Sequence, residues 1–222
     1  MSYPRLNTVY ATDENILIRA AGDFAVLCPD WQKLTAGADG VAGGSSPWTL
    51  SSASVDFEAS GVLPGHVIFL RKPVTVFKGS GEPFAVDAVS GNTVTLRRPG
   101  RGSGAGQPLP STAGVDFLIT SLDPQIEEAS FDLNRRFSID PGIPSRAPEA
   151  VHDIRDLRNA CVLSVLAQRY ASETRGRDGD FSLKLSLINQ ELSEVLGRLQ
   201  IRWGQGGDTQ PPSTRFSTRL VR

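Results

Sequence analysis

The sequence predicts an α+β fold: a four-helix-type bundle with a small antiparallel β-sandwich or barrel domain inserted after its first helix, followed by an extended C-terminal arm. Three patterns predict it. Apolar residues stand at helical spacing between residues 13 and 21, alternate with period two from Trp48 to Leu122, and return to helical spacing from Asp123 onward. The domains expected are 1–47 (N-terminal helix and linker, part of the helical domain), 48–122 (inserted β domain), 123–203 (helical bundle) and 204–222 (arm).

Thr12 followed by Asp13 and Glu14 reads as an N-cap with acidic first-turn residues, and Ile16, Leu17, Ala20 and Ala21 continue the helix to Gly22. Pro29 prevents one unbroken helix through Leu34. Thr35–Pro47, built from small and turn-forming residues, reads as a linker. The pairs Val55/Phe57, Val67/Phe69, Val74/Val76, Phe84/Val86 and Val94/Leu96, with Val115/Phe117/Ile119, predict five or six short strands. Turns fall at Leu63-Pro64-Gly65, Lys78–Gly81 and Ser90-Gly91-Asn92, the last closing a hairpin. Asp123-Pro124 reads as an N-cap and N1 pair, with Ile126, Ala129, Leu133 and Phe137 as one apolar stripe. Residues 149–173 carry a second helix whose Ala160–Ala167 core is apolar nearly all round. A third spans 181–199, where Phe181, Leu185, Ile188, Leu192, Val195 and Leu199 alternate spacings of four and three.

Composition bounds the function. The 222 residues carry 23 Lys+Arg against 24 Asp+Glu, a formal charge of -1, so no global basic field holds the chain on nucleic acid or an anionic membrane. Cys28 and Cys161 lie far apart without metal-type spacing, which fits a reducing compartment. Met1–Arg5 contain no apolar signal-type run and no window suits a bilayer, so neither standard secretion nor membrane anchoring is expected.

The two histidines read as structural: His66 as a strand-edge residue after the Pro64-Gly65 turn, His152 as a helix-surface residue near Asp153 and Asp156. Carboxylate pairs at Glu127/Glu128, Asp153/Asp156 and Asp178/Asp180 suit polar helix faces and first turns better than acid/base or metal chemistry. No nucleophile elbow, metal-binding helix motif or phosphate loop occurs, so no catalytic residue, metal or cofactor is expected and the sequence points away from an enzyme. Arg97, Arg98 and Arg101 gather positive charge on a glycine-rich loop. Two readings stand: a solvated loop tip, or a contact with passing DNA or an acidic neighbouring subunit. Residues 204–214 are too polar and too rich in Gly and Pro to fold alone. Arg215, Phe216, Thr218, Arg219, Leu220 and Arg222 beyond them either fray or dock on another chain.

The patterns Asp56-Phe57-x3-Gly61-Val62-x2-Gly65-x-Val67-Ile68 and Phe84-Ala85-Val86-x2-Val89-x3-Thr93-Val94-Thr95-Leu96 resemble the β region of phage neck and tail-completion proteins. With Ala11–Ile16, Asp156–Tyr170 and the helix 181–199 around them, the chain resembles the head-to-tail adaptor (head-tail connector) proteins of long-tailed bacteriophages. It departs at His66, where an acidic residue would be expected.

The resemblance implies a structural subunit of a homo-oligomeric, twelvefold ring in the virion neck, made in the host cytoplasm. The arm would dock on the portal protein, a stopper or tail-completion protein would follow, and the ring would form part of the DNA channel, in transient contact with DNA and with no membrane. Two alternatives remain: another tail-completion or baseplate structural protein, and a carbohydrate-binding or hydrolytic module. The last would need aromatics clustered on an exposed β face, whereas Phe57, Phe69, Phe84 and Phe117 alternate as core residues do.

Overall fold

A computed structural model describes residues 9–44, 47–102, 109–151, 154–174, 180–201 and 203. Two short helices, α1 (Asp13–Arg19) and α2 (Phe24–Leu27), lead into six strands: β1 (Lys33–Gly43), β2 (Trp48–Ser51), β3 (Val67–Lys72), β4 (Glu82–Ser90), β5 (Thr93–Arg97) and β6 (Thr112–Thr120). Three longer helices follow, α3 (Asp123–Phe137), α4 (Ile154–Thr174) and α5 (Asp180–Arg198). The strands close into an antiparallel barrel in the order β1-β2-β5-β4-β3-β6, with β6 pairing back onto β1.

This corrects the expected architecture. No four-helix-type bundle with a sheet inserted after its first helix is formed. The segments before the barrel are only 7 and 4 residues long, and all three long helices come after the barrel strands. The barrel is also closed and begins earlier than expected, because the apparent linker Thr35–Pro47 supplies most of β1. Small residues are required there by close approach. A Cβ on Gly37 would stand 2.6 Å from Phe117 Cζ, and one on Gly40 would meet Leu50 Cδ1 and the Val115 carbonyl at 2.9 Å. The register against β6 shifts at these same two glycines. Asp39 between them accepts hydrogen bonds from Ser52 Oγ at 2.8 Å and from the amides of Ala53 and Ser54 at 2.9 Å each, fixing the exit of β2. Val55/Phe57 and Val74/Val76, expected as strands, lie in loops and turns, the second after a cis Lys72–Pro73 bond.

Alternation divides the barrel's side chains between two cores. Trp48, Leu50, Phe57, Ile68, Leu70, Phe84, Leu96, Phe117 and Ile119 fill its interior. Val67 and Phe69, on the opposite face of β3, join Ile16, Leu17, Phe24, Ile126, Leu163 and Leu166 in the core of the helical layer, with Phe24 and Phe69 rings 6.1 Å apart. Polar ties bind α2 to the later helices. Arg169 Nε donates to the Leu27 carbonyl at 2.6 Å, and Asp23 accepts from Tyr170 Oη at 2.6 Å and Lys184 Nζ at 3.1 Å.

The layers meet at the Leu63–His66 turn. Gly65 has φ 91°, its carbonyl accepts from the Glu14 amide at 3.0 Å, and its amide donates to Val86 at 2.8 Å. A Cβ there would stand 2.8 Å from Thr12 Cγ2. Gly65→Ala should therefore cost about 2–3 kcal/mol, strain and clash together. Gly61→Ala, also at positive φ but with open space around it, should cost only about 1 kcal/mol. Denaturant midpoints of the two variants check this; equal losses would show that the Thr12 contact does not constrain the turn.

Candidate functional site

Among the described residues, one group of three side chains that could hold a metal ion lies at this junction. Asp13 opens α1, His66 ends the turn before β3, and Asp123 opens α3, so residues 57 and 110 positions apart converge because three element starts meet. Asp13 is fully buried and His66 is 2% exposed, while Asp123 retains partial access to solvent. One oxygen of Asp13, Oδ1, accepts from the Leu122 amide at 2.8 Å; the other, Oδ2, is buried with no hydrogen-bond partner among the described residues. His66 Nδ1 accepts from the Leu63 amide at 3.1 Å, and Nε2 lies 3.0 Å from Asp123 Oδ2.

The three groups offer ligand atoms all within 4.8 Å of one another, close enough to be weighed as a metal site. The Leu63 amide argues against it. A neutral histidine bound to a metal through one ring nitrogen carries its proton on the other and donates it outward. Here that other nitrogen, Nδ1, receives a hydrogen bond instead, so the proton sits on Nε2 and is donated to Asp123. Leu63, His66 and Asp123 are joined by hydrogen bonds, and Asp13 stands beside them, its own bond running to the Leu122 amide. Burial, the dominant influence, pushes the Asp13 carboxyl up to about 6, and the Asp123 charge adds to it; His66, the Leu122 amide and Ser121 oppose the rise.

Beside this cluster the expected basic loop turns inward. Arg97 forms a bidentate ion pair with buried Glu14 through both terminal nitrogens, and its Nε donates to Asp87 Oδ1 at 3.1 Å. The Gly100 amide also donates to Glu14 at 2.9 Å. Arg98 pairs with Glu82 and lies over Phe84, its guanidinium carbon 4.5 Å from the ring centroid. Arg101 is exposed, and its carbonyl accepts from Arg97 at 3.1 Å. Of three cations read as a free patch, two are engaged within the chain. The matching acids are distant in sequence, which is why the loop looked unpaired.

The remaining expected positions are dispersed. Glu128 accepts from Gln168 at 2.7 Å, and Asp180 pairs with Lys184 at 2.9 Å. His152, Asp153, Asp178 and the whole arm, Arg215, Phe216, Thr218, Arg219, Leu220 and Arg222 included, lie outside the described residues. Phe57, Phe69, Phe84 and Phe117 are all buried, as is Trp48, so these rings present no aromatic face to a sugar. Both cysteines are free, buried thiols, pushed by burial up to about 12 at Cys28 and about 11 at Cys161. An open groove of about 340 Å³ lies at the C-terminal end of α3, lined by Phe131, Arg135, Ile139 and Arg146 among others.

Compared with known proteins, the chain matches no family model, no curated protein and no solved structure.

Breaking the Glu14–Arg97 pair should be costly because Glu14 would be left buried and charged. Arg97→Gln is expected to lose about 2–3 kcal/mol of stability, against less than about 0.5 kcal/mol for Arg101→Gln. Chemical denaturation of both variants checks it, and similar small losses would contradict the inward role of Arg97.

Proposed function

We propose that the protein is a structural subunit of a tailed-phage neck, a head-to-tail adaptor that works by contact with copies of itself and with a portal ring. The observation that carries this reading is the outer face of α5. One side of the helix packs into the helical core through Phe181, Leu185, Ile188, Leu192 and Val195. Its other side exposes Leu183 at 61% and Leu187 at 58%, with Ser182 and Ser186 beside them and the exposed Gln190–Glu194 hydrogen bond further along the same face. Two exposed leucines one turn apart, with two serines beside them, suit a neighbouring helix better than water.

The resemblance read from the sequence supplies the neck and the portal; the α5 face supplies a contact surface compatible with them. Ring closure would multiply a modest contact, because each subunit makes the same contact twice. With Arg97 and Arg98 held by carboxylates, Arg101 is left as the cation of that loop free to face DNA, consistent with a channel through which DNA slides. The arm, 204–222, is proposed to clip onto the portal through Phe216 and Leu220, with Arg215, Arg219 and Arg222 beside them.

Copurification with portal tests the reading. The full chain should join portal rings. A chain ending at Trp203 should remain folded by circular dichroism yet fail to join. Leu183→Glu with Leu187→Glu should leave the fold intact and reduce ring formation at least tenfold. Normal joining by the truncated chain would overturn the arm assignment, and a full-length protein that stays monomeric with portal present would overturn the adaptor reading.

A further inference from the structure

We propose that Asp13, His66 and Asp123 form a proton-operated latch between the helical layer and the barrel, closed when Asp13 carries a proton and loosened when that proton leaves. With Asp13 and Asp123 both ionised, the junction holds two carboxylates, and one oxygen of the fully buried Asp13 has no hydrogen-bond partner among the described residues. A buried carboxylate oxygen without a partner destabilises the packing around it. One proton removes the problem. It neutralises the buried Asp13 carboxyl beside Asp123, in the cluster whose ligand atoms lie within 4.8 Å of one another.

The same geometry selects which group takes the proton. The Leu63 amide points its hydrogen at His66 Nδ1 from 3.1 Å, which occupies that nitrogen and leaves Nε2 toward Asp123. Asp123 accepts from His66 Nε2 and keeps partial access to solvent, whereas Asp13 is fully buried. The other ionisable groups near Asp13 do not compete. The Cys28 thiol, which feels the Asp13 charge, is held neutral by burial, and Glu14 is occupied by Arg97. Burial raises Asp13 to about 6 from an ordinary value of 3.8, which places the change in a physiological range.

Asp13 binds its proton more tightly in the folded chain than in the unfolded one. The stabilisation it contributes is therefore full below about pH 4 and is lost as the pH rises through about 6. Two amides report the latch directly: Leu122, which donates to Asp13, and Glu14, which donates to Gly65 across the junction.

Hydrogen exchange of the full chain, corrected for the intrinsic pH dependence of exchange, tests this between pH 5 and 8. In the wild type, protection at Leu122 and Glu14 should fall about tenfold across that range, the drop that a pKa of about 6 folded and 3.8 unfolded implies. Asp13→Asn, which carries a permanent donor in place of the proton, should show no such fall. Asp123→Asn leaves the burial of Asp13 in place but removes the charge that adds to its rise, so the midpoint should move to lower pH; this variant decides the matter if Asp13→Asn does not fold. A flat wild-type profile, an equal fall in wild type and Asp13→Asn, or an unmoved midpoint in Asp123→Asn would each overturn the latch.

Discussion

Between Val67 and Leu70 the chain sends successive side chains into two different hydrophobic cores, Ile68 and Leu70 into the barrel and Val67 and Phe69 into the helical layer. A strand buried on both faces cannot belong to one layer alone. Burial of side chains of this size is worth about 1.5–3 kcal/mol each, so separating the layers would expose Val67 and Phe69 together with the α1, α2 and α3 surfaces that cover them. The barrel is thereby fixed to the helices along one strand, and the remaining elements arrange themselves around that line.

The polar chemistry of the molecule follows the same line. Where β3 begins, α1 and α3 also begin, and their first-turn carboxylates are driven into the junction by the packing of the apolar residues behind them, Ile16 and Leu17 on α1 and Ile126 on α3. Glu14 is neutralised by Arg97 reaching back from the end of β5, and Asp13 is left to His66 and the Leu122 amide. A buried ion pair and a buried protonatable cluster thus stand side by side at the join. One depends on an arginine that is always charged, the other on a proton that comes and goes.

Local rules carried the sequence a fair distance. The period of Ile126, Ala129 and Leu133 marks α3, that of Phe181 to Leu199 marks α5, and Ser90-Gly91-Asn92 closes the β4–β5 hairpin. What failed needed knowledge of contacts far along the chain. Thr35–Gly43 lacks strand-like residues because Phe117 and Leu50 occupy the space their side chains would need. Nothing local betrays that. The first helical segment was overvalued for the opposite reason: its caps are good, but Gly22 and Pro29 leave it too short to serve as one of four bundle helices. At the junction, Asp13 reads as a first-turn acid and Asp123 as an N-cap; the structure moves the cap to Leu122 and makes Asp123 the first helical residue, and only folding brings both acids to His66.

The central claim is that barrel and helical layer form one cooperative unit through β3. Differential scanning calorimetry of the full chain tests it most directly. A single transition whose calorimetric and van't Hoff enthalpies agree is the expected result. Two resolved transitions, with barrel amides still protected after the helices have melted, would show that the two cores stand independently and would contradict the account.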